Sequence, residues 1–196
     1  MASYHAISAT CDAVIRLLRQ SWDQDTLFNQ AALDFQVYHT IQFQQRPIQT
    51  GISLYLYNVA VNTTQRIPPG RPRADGTPRP PQLPLDLYFM LTPWAEGASL
   101  QQEILGWMMH TIEDNPVLST ALLNTTTAQV FGPDETVEIV SGYLTNEDLL
   151  RLWDAIPGDF QISVPYIARV VRIDSERDAI RGEPVLTREL DFGQKA

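Results

Sequence analysis

Between Arg66 and Pro84 the chain carries seven of its fourteen prolines, and this stretch limits what the segments on either side can become. Each proline removes a backbone donor and fixes φ, so the stretch cannot run through the interior of a sheet. Gly70 and Gly76 break it further, and Arg66, Arg71, Arg73 and Arg79 stand against one acid, Asp75. The flanking segments read as strands. Ile52 to Val61 is apolar or aromatic on both faces, as in a central strand covered from both sides. In Leu83 to Leu91, Leu83, Leu85, Leu87 and Phe89 alternate with Asp86 and Tyr88, and the run is expected to stop at Thr92-Pro93. What lies between them is an exposed loop or arm. It is either a passive insertion or a segment that orders against a partner, with its guanidinium groups meeting carboxylates.

The rest of the chain alternates between helical and strand periods. Ile7, Cys11, Val14, Ile15, Leu18 and Trp22 recur at steps of three and four and predict an N-terminal helix. Phe35, Val37, His39, Ile41 and Phe43 alternate with polar residues and predict a half-buried strand with His39 in its apolar register. Ser99 with Gln102, and Thr145 with Asp148, have capping-box spacing. The first opens a helix through Leu100, Ile104, Leu105, Met108 and Ile112, ended by Asp114-Asn115-Pro116. A helical turn through Val117, Leu118, Leu122 and Leu123 follows. The second opens a helix with Leu149, Leu150, Leu152, Trp153 and Ile156. Strands are expected over Thr136–Tyr143 and Phe160–Ile173, with Pro165 arguing for an edge or a bulge. The fold class is therefore α+β: a mixed, mainly antiparallel sheet with an N-terminal helix and two further helices packed on it. Residues 1–175 are expected to form one domain, with 66–84 inserted and 176–196 as a polar tail or arm.

No catalytic constellation emerges. Glycine-rich phosphate loops and a GxSxG elbow do not occur, and His5, His39 and His110 are not at metal-ligand spacing with one another. His110 with Glu113 and Asp114 reads as a solvated helix end. The acidic pairs Glu113/Asp114, Asp134/Glu135 and Glu147/Asp148 read as helix termini or turns. Cys11 lies in the apolar helical stripe and reads as a buried thiol, and Trp94 and Trp107 read as core. Catalytic, cofactor and metal residues are accordingly none. The net charge of −9 disfavours a phosphate-matching surface. Thirteen of the fourteen basic residues are arginine, the exception being Lys195, and arginine suits protein interfaces. Without a signal-peptide pattern or an apolar run of about 20 residues, synthesis in the cytoplasm is expected.

Three blocks, in order, resemble a known family. They are Gly51-Ile52-Ser53-Leu54-Tyr55-Leu56-Tyr57-Asn58-Val59 with Asn62 and Arg66; Pro84-Leu85-Asp86-Leu87-Tyr88-Phe89-Met90-Leu91-Thr92-Pro93 after the proline-rich insertion; and Ile104-Leu105-Gly106-Trp107-Met108-Met109 leading to Asp114-Asn115-Pro116-Val117-Leu118. Leu144 to Trp153 and Ser163 to Tyr166 extend the match. The chain is similar to the N-terminal domain of the cap, or tube-terminator, proteins of contractile injection systems of the antifeeding-prophage and virulence-cassette type. That resemblance implies a tail-terminator-like fold and a structural, non-enzymatic role without cofactors. It implies six copies in a ring that closes the baseplate-distal end of the inner tube and anchors the last sheath layer. The implied partners are the chain itself, the tube protein and the sheath protein, with no nucleic acid and no membrane insertion. The alternatives are another tube or baseplate adaptor of the same particle, or a small-ligand-binding domain. Candidate interface residues are Arg66, Arg71, Arg73 and Arg79 in the loop, Arg169 and Arg172 in the last strand, and Arg177 in the tail.

Overall fold

The computed structural model describes residues 3–23, 32–66 and 81–175. In chain order the elements are α1 (Ala6–Ser21), β1 (Asp34–Val37), α2 (Thr40–Gln45), β2 (Gly51–Val61), β3 (Gln82–Trp94), α3 (Ala98–Asp114), β4 (Val117–Leu118), α4 (Thr120–Leu123), β5 (Val137–Ser141), α5 (Asn146–Asp154) and β6 (Val164–Asp174). The strands form one six-stranded sheet in the order β1-β2-β3-β6-β5-β4. All pairings are antiparallel except β1 with β2, which is the mixed, mainly antiparallel sheet expected.

Period-two alternation divides each strand between two cores. On one face Ile52 and Leu54 of β2, Leu85, Leu87, Phe89 and Leu91 of β3, Ile139 of β5 and Ala168 of β6 pack under α1 and α3. The α1 stripe is as predicted, with Ala6, Val14 and Leu18 fully buried and Trp22 at the C-cap meeting Trp107 edge-on at 5.2 Å. On the other face Met90 and Trp94 of β3 pack with Tyr38, Phe43, Trp153 and Ile156. Phe43 is the hub there, meeting Tyr38, Tyr55 and Trp153 at ring distances of 5.2–5.4 Å. The buried hydroxyls on this face are paired: Ser53 accepts from the Trp94 indole at 2.8 Å, and Thr92 and Ser163 share a hydrogen bond at 2.8 Å. Gly51 is needed where β1 joins β2, because a Cβ at its φ of +153° would lie 2.0 Å from the Asp34 carbonyl.

Several expectations change. The strand expected over Phe35–Phe43 ends at Val37, and Thr40–Gln45 is a helix. The Gln42 side chain accepts from the His39 N–H at 2.6 Å, and the Arg46 N–H closes the turn on the Gln42 carbonyl at 2.9 Å. That local capping, with Phe43 burying itself in the second core, outweighs the alternation. His39 is exposed rather than a core histidine. Gly97, not Ser99, is the N-cap of α3, and Ser99 donates to Glu103 at 3.2 Å. Val117 and Leu118 pair with β5 instead of turning. Thr145 does cap α5, accepting from the Asp148 N–H at 3.1 Å.

The prolines misled at strand ends for one reason. β3 runs through Pro84 and Pro93, and β6, an interior strand, contains Pro165. The N and C=O of one strand residue point to the same side. The Pro84 carbonyl accepts from Asn62, Pro93's from the Gln101 side chain and Pro165's from Gly142, in each case just past the end of the neighbouring strand. The missing donors therefore fall where no ladder partner exists, and an interior strand can carry them.

Candidate assembly surface

β2 and β6 are both antiparallel to β3, so they run the same way and finish at one end of the sheet. Both chain segments read as arms leave from that end. The proline-rich stretch departs after Arg66 and returns at Pro81, and the tail departs after Ser175, whose N–H bonds the Pro81 carbonyl at 2.9 Å. Arg66 lines a shallow hollow there with Pro81, Gln82, Leu83, Ile173 and Asp174. Gln82 donates to Asp174 Oδ1 at 2.6 Å, while Asp174 Oδ2 is buried with no hydrogen-bond partner among the described residues.

Two features stiffen this end. The β6 ladder slips by one residue opposite Leu85 and Leu87, and Val170 within the bulge has φ +60°. That conformation is costly for a β-branched residue. The Asp86 carboxylate holds it, accepting from the Val170 N–H at 3.0 Å and from the Asn62 side-chain amide at 2.9 Å. Asn62 in turn accepts from the Gln65 N–H at 3.0 Å, which fixes the turn at the root of the loop. Asp86 is a carboxylate used for architecture, and only the fold shows it.

Of the candidate interface arginines, Arg66 sits at this exit. Arg172 is half-buried on β6 opposite Pro84. Arg169 is exposed, 3.9 Å from Glu138 across the β5–β6 pair. Arg71, Arg73, Arg79 and Arg177 lie outside the described residues. The sequence reading missed the apolar exposure beside the exit: Val59, Val61 and Leu83 are 40%, 42% and 40% exposed. Alternation assigned them to a covered face, and α1 does not extend over them.

Burial favours the neutral form of four groups, Cys11, Tyr38, Tyr57 and Tyr166. Burial pushes the Cys11 thiol up to about 12, with Asp12 adding to it, so the thiol is not a nucleophile at neutral pH. Burial likewise raises Tyr166 to about 12, with Glu113 contributing, and raises Tyr38 and Tyr57. Among the described residues no group of three or more His, Cys, Asp or Glu side chains could hold a metal ion. His110 pairs with Asp114 at 3.3 Å, with both side chains exposed at the C-terminal end of α3. No described helix is long and apolar enough to cross a membrane.

A sheet of this kind has relatives. The Pvc16 N-terminal domain family matches residues 9–187. The chain belongs to that family. No curated protein sequence matches it. Among solved structures, this Pvc16-type domain is similar to the PVC sheath/tube terminator of an extracellular contractile injection system in its extended state. The TM-score is 0.62 at 14% identity, over 97% of this chain and 64% of that one. It is also similar to the tube-terminating cap of the anti-feeding prophage, with a TM-score of 0.56 at 16% identity over 91% of this chain and 58% of that one. The Pvc16-type chain thus has the terminator fold and spans under two thirds of each of those proteins.

Proposed function

We propose that this chain is a structural cap. Six copies form a ring on the baseplate-distal end of the inner tube of a contractile injection particle, and the ring anchors the last sheath layer. The supporting observation is family membership over residues 9–187, joined to a fold shared with two tube terminators. The exit end of the sheet suits such a role. Two segments leave it side by side, and heterologous rings need one patch of a subunit to fit a different patch of its neighbour. The chain does no bond chemistry in this reading and needs no cofactor. Its partners are itself, the tube protein and the sheath protein, and its net charge of −9 keeps it off nucleic acid.

The test is reconstitution with tube and sheath subunits. The expected outcome is a species of about six 22.1 kDa chains seated at the tube end far from the baseplate, and tubes of uncontrolled length without it. A chain that stays monomeric with both subunits present sinks the proposal. A ring found at the baseplate end makes it an adaptor instead.

A further inference from the structure

Among the described residues, the outer edge of β2 has no partner strand beyond Leu54. β1 pairs only with Gly51–Leu54, while β2 runs on to Val61. From Leu56 onward no strand among the described residues lies against that edge. Alternation tells which groups face outward. Leu54 turns its carbonyl to the Tyr38 N–H at 2.7 Å, and Asn62 turns its N–H to the Pro84 carbonyl at 2.9 Å. Counting inward from both, with the ladder slipping between Leu56 and Asn58, Leu56, Val59 and Val61 turn their N–H and C=O groups away from β3. The same three side chains share the face that carries Leu85 and Leu87, where Val59 and Val61 are about two-fifths exposed. Toward β1 that face opens into a groove lined by Leu56, Val37, Ile7 and Tyr4.

β1 is treated differently. Its outward Phe35 carbonyl accepts from the Arg19 guanidinium at 2.6 Å, so a charged side chain occupies that edge. A long apolar edge without such a guard is a template for another strand.

We propose that the β2 edge over 56–61 accepts residues 185–192 of another copy of this chain as an added strand. The inference rests on the ring reading above. Of the two segments outside the described residues that leave from this end of the sheet, 67–80 holds five prolines and cannot supply the donors. In the tail, Leu186, Leu190 and Phe192 fall on alternate positions with Arg188, and Thr187, Glu189 and Asp191 lie between them. That pattern puts three apolar side chains on one face of an extended strand, matching the exposed face of Val59 and Val61. The tail leaves at Ser175, at the end of the sheet that bears the open edge. The ten residues from there to 185 reach up to about 35 Å, enough for a neighbour seated against it. Tail and edge are different patches, so each copy gives one strand and takes one, the head-to-tail contact that the ring of the reading above requires.

A bismaleimide cross-linker applied to V61C/L190C chains assembled with tube subunits tests this, because the native Cys11 is buried. Covalent oligomers up to the full ring are expected, and covalent dimers when V61C and L190C chains are mixed. A link formed only within single chains means that each copy holds its own tail, and overturns the proposal. So does the absence of links in particles that are capped normally, which leaves the ring reading intact. In parallel, a chain ending at Ser175 is expected to keep its circular dichroism and lose self-association by about tenfold or more. A normal ring from that chain overturns the proposal. If full-length chains associate neither with one another nor with the tube, the ring reading and this inference fall together.

Discussion

β2 is two strands in one. Its first four residues, Gly51–Leu54, are buried on both faces, between the α1/α3 core and the aromatic cluster around Phe43, with β1 on their outer edge. Its last four, Asn58–Val61, include two valines at least 40% exposed and have no outer neighbour among the described residues. The hydrophobicity of the two halves is alike, and their surroundings are not. Burial is concentrated at the covered end, and among the described residues the exit end leaves apolar side chains partly exposed and its outer backbone edge without a strand. One half can therefore change with little effect on the other.

Substitutions can break that division. The largest effect is expected inside: Phe89→Ala, which removes a ring that is 1% exposed, should lose about 3–5 kcal/mol in denaturant unfolding. Next comes alkaline pH. The Cys11 thiol titrates at about 12 when folded and near its ordinary value of 9.0 when unfolded. Between those values the unfolded chain has released a proton that the folded chain still holds. Stability should therefore fall as pH rises through that window, by on the order of 1 kcal/mol per unit, and Cys11→Ala should flatten that share of the slope. Asp86→Ala should cost about 1–3 kcal/mol, because it leaves the Val170 N–H and the Asn62 amide without their acceptor. Hydrogen exchange should then rise around Val170 and Asn62 while α1 and α3 stay protected, and equal loosening of both regions would mean the two ends are not separate. The smallest effect is expected from Val61→Thr, within about 0.5 kcal/mol of wild type by the same unfolding measurement. A larger loss there would show that the exit end also carries the fold.

Much of the architecture was legible because its signals are local. The α1 stripe, the Thr145 cap, the stop at Asn115-Pro116 and the alternation through Leu85, Leu87 and Phe89 each depend on neighbours a few residues away. Reading failed where a distant contact chose between local options. Ile41 and Phe43 fit a strand pattern, yet Phe43 finds Trp153, more than a hundred residues on, and the short helix capped by Gln42 delivers it there. Pro93 and Pro165 look like strand breakers, yet each faces the vacant side of a ladder whose partner has just ended.

The sequence by itself determined an α+β scaffold, with a stretch rich in proline and arginine between two of its strands and a polar segment after the last. Only the tertiary structure decided that both leave from one end of the sheet, that the Asp86 carboxylate holds the bulge behind them, and that the valines beside them are partly exposed. The physical reason is that burial and pairing belong to a position in space. Alternation shows that Val59 and Val61 share a face, but α1 is only as long as its sixteen residues, and where its cover stops is set by packing.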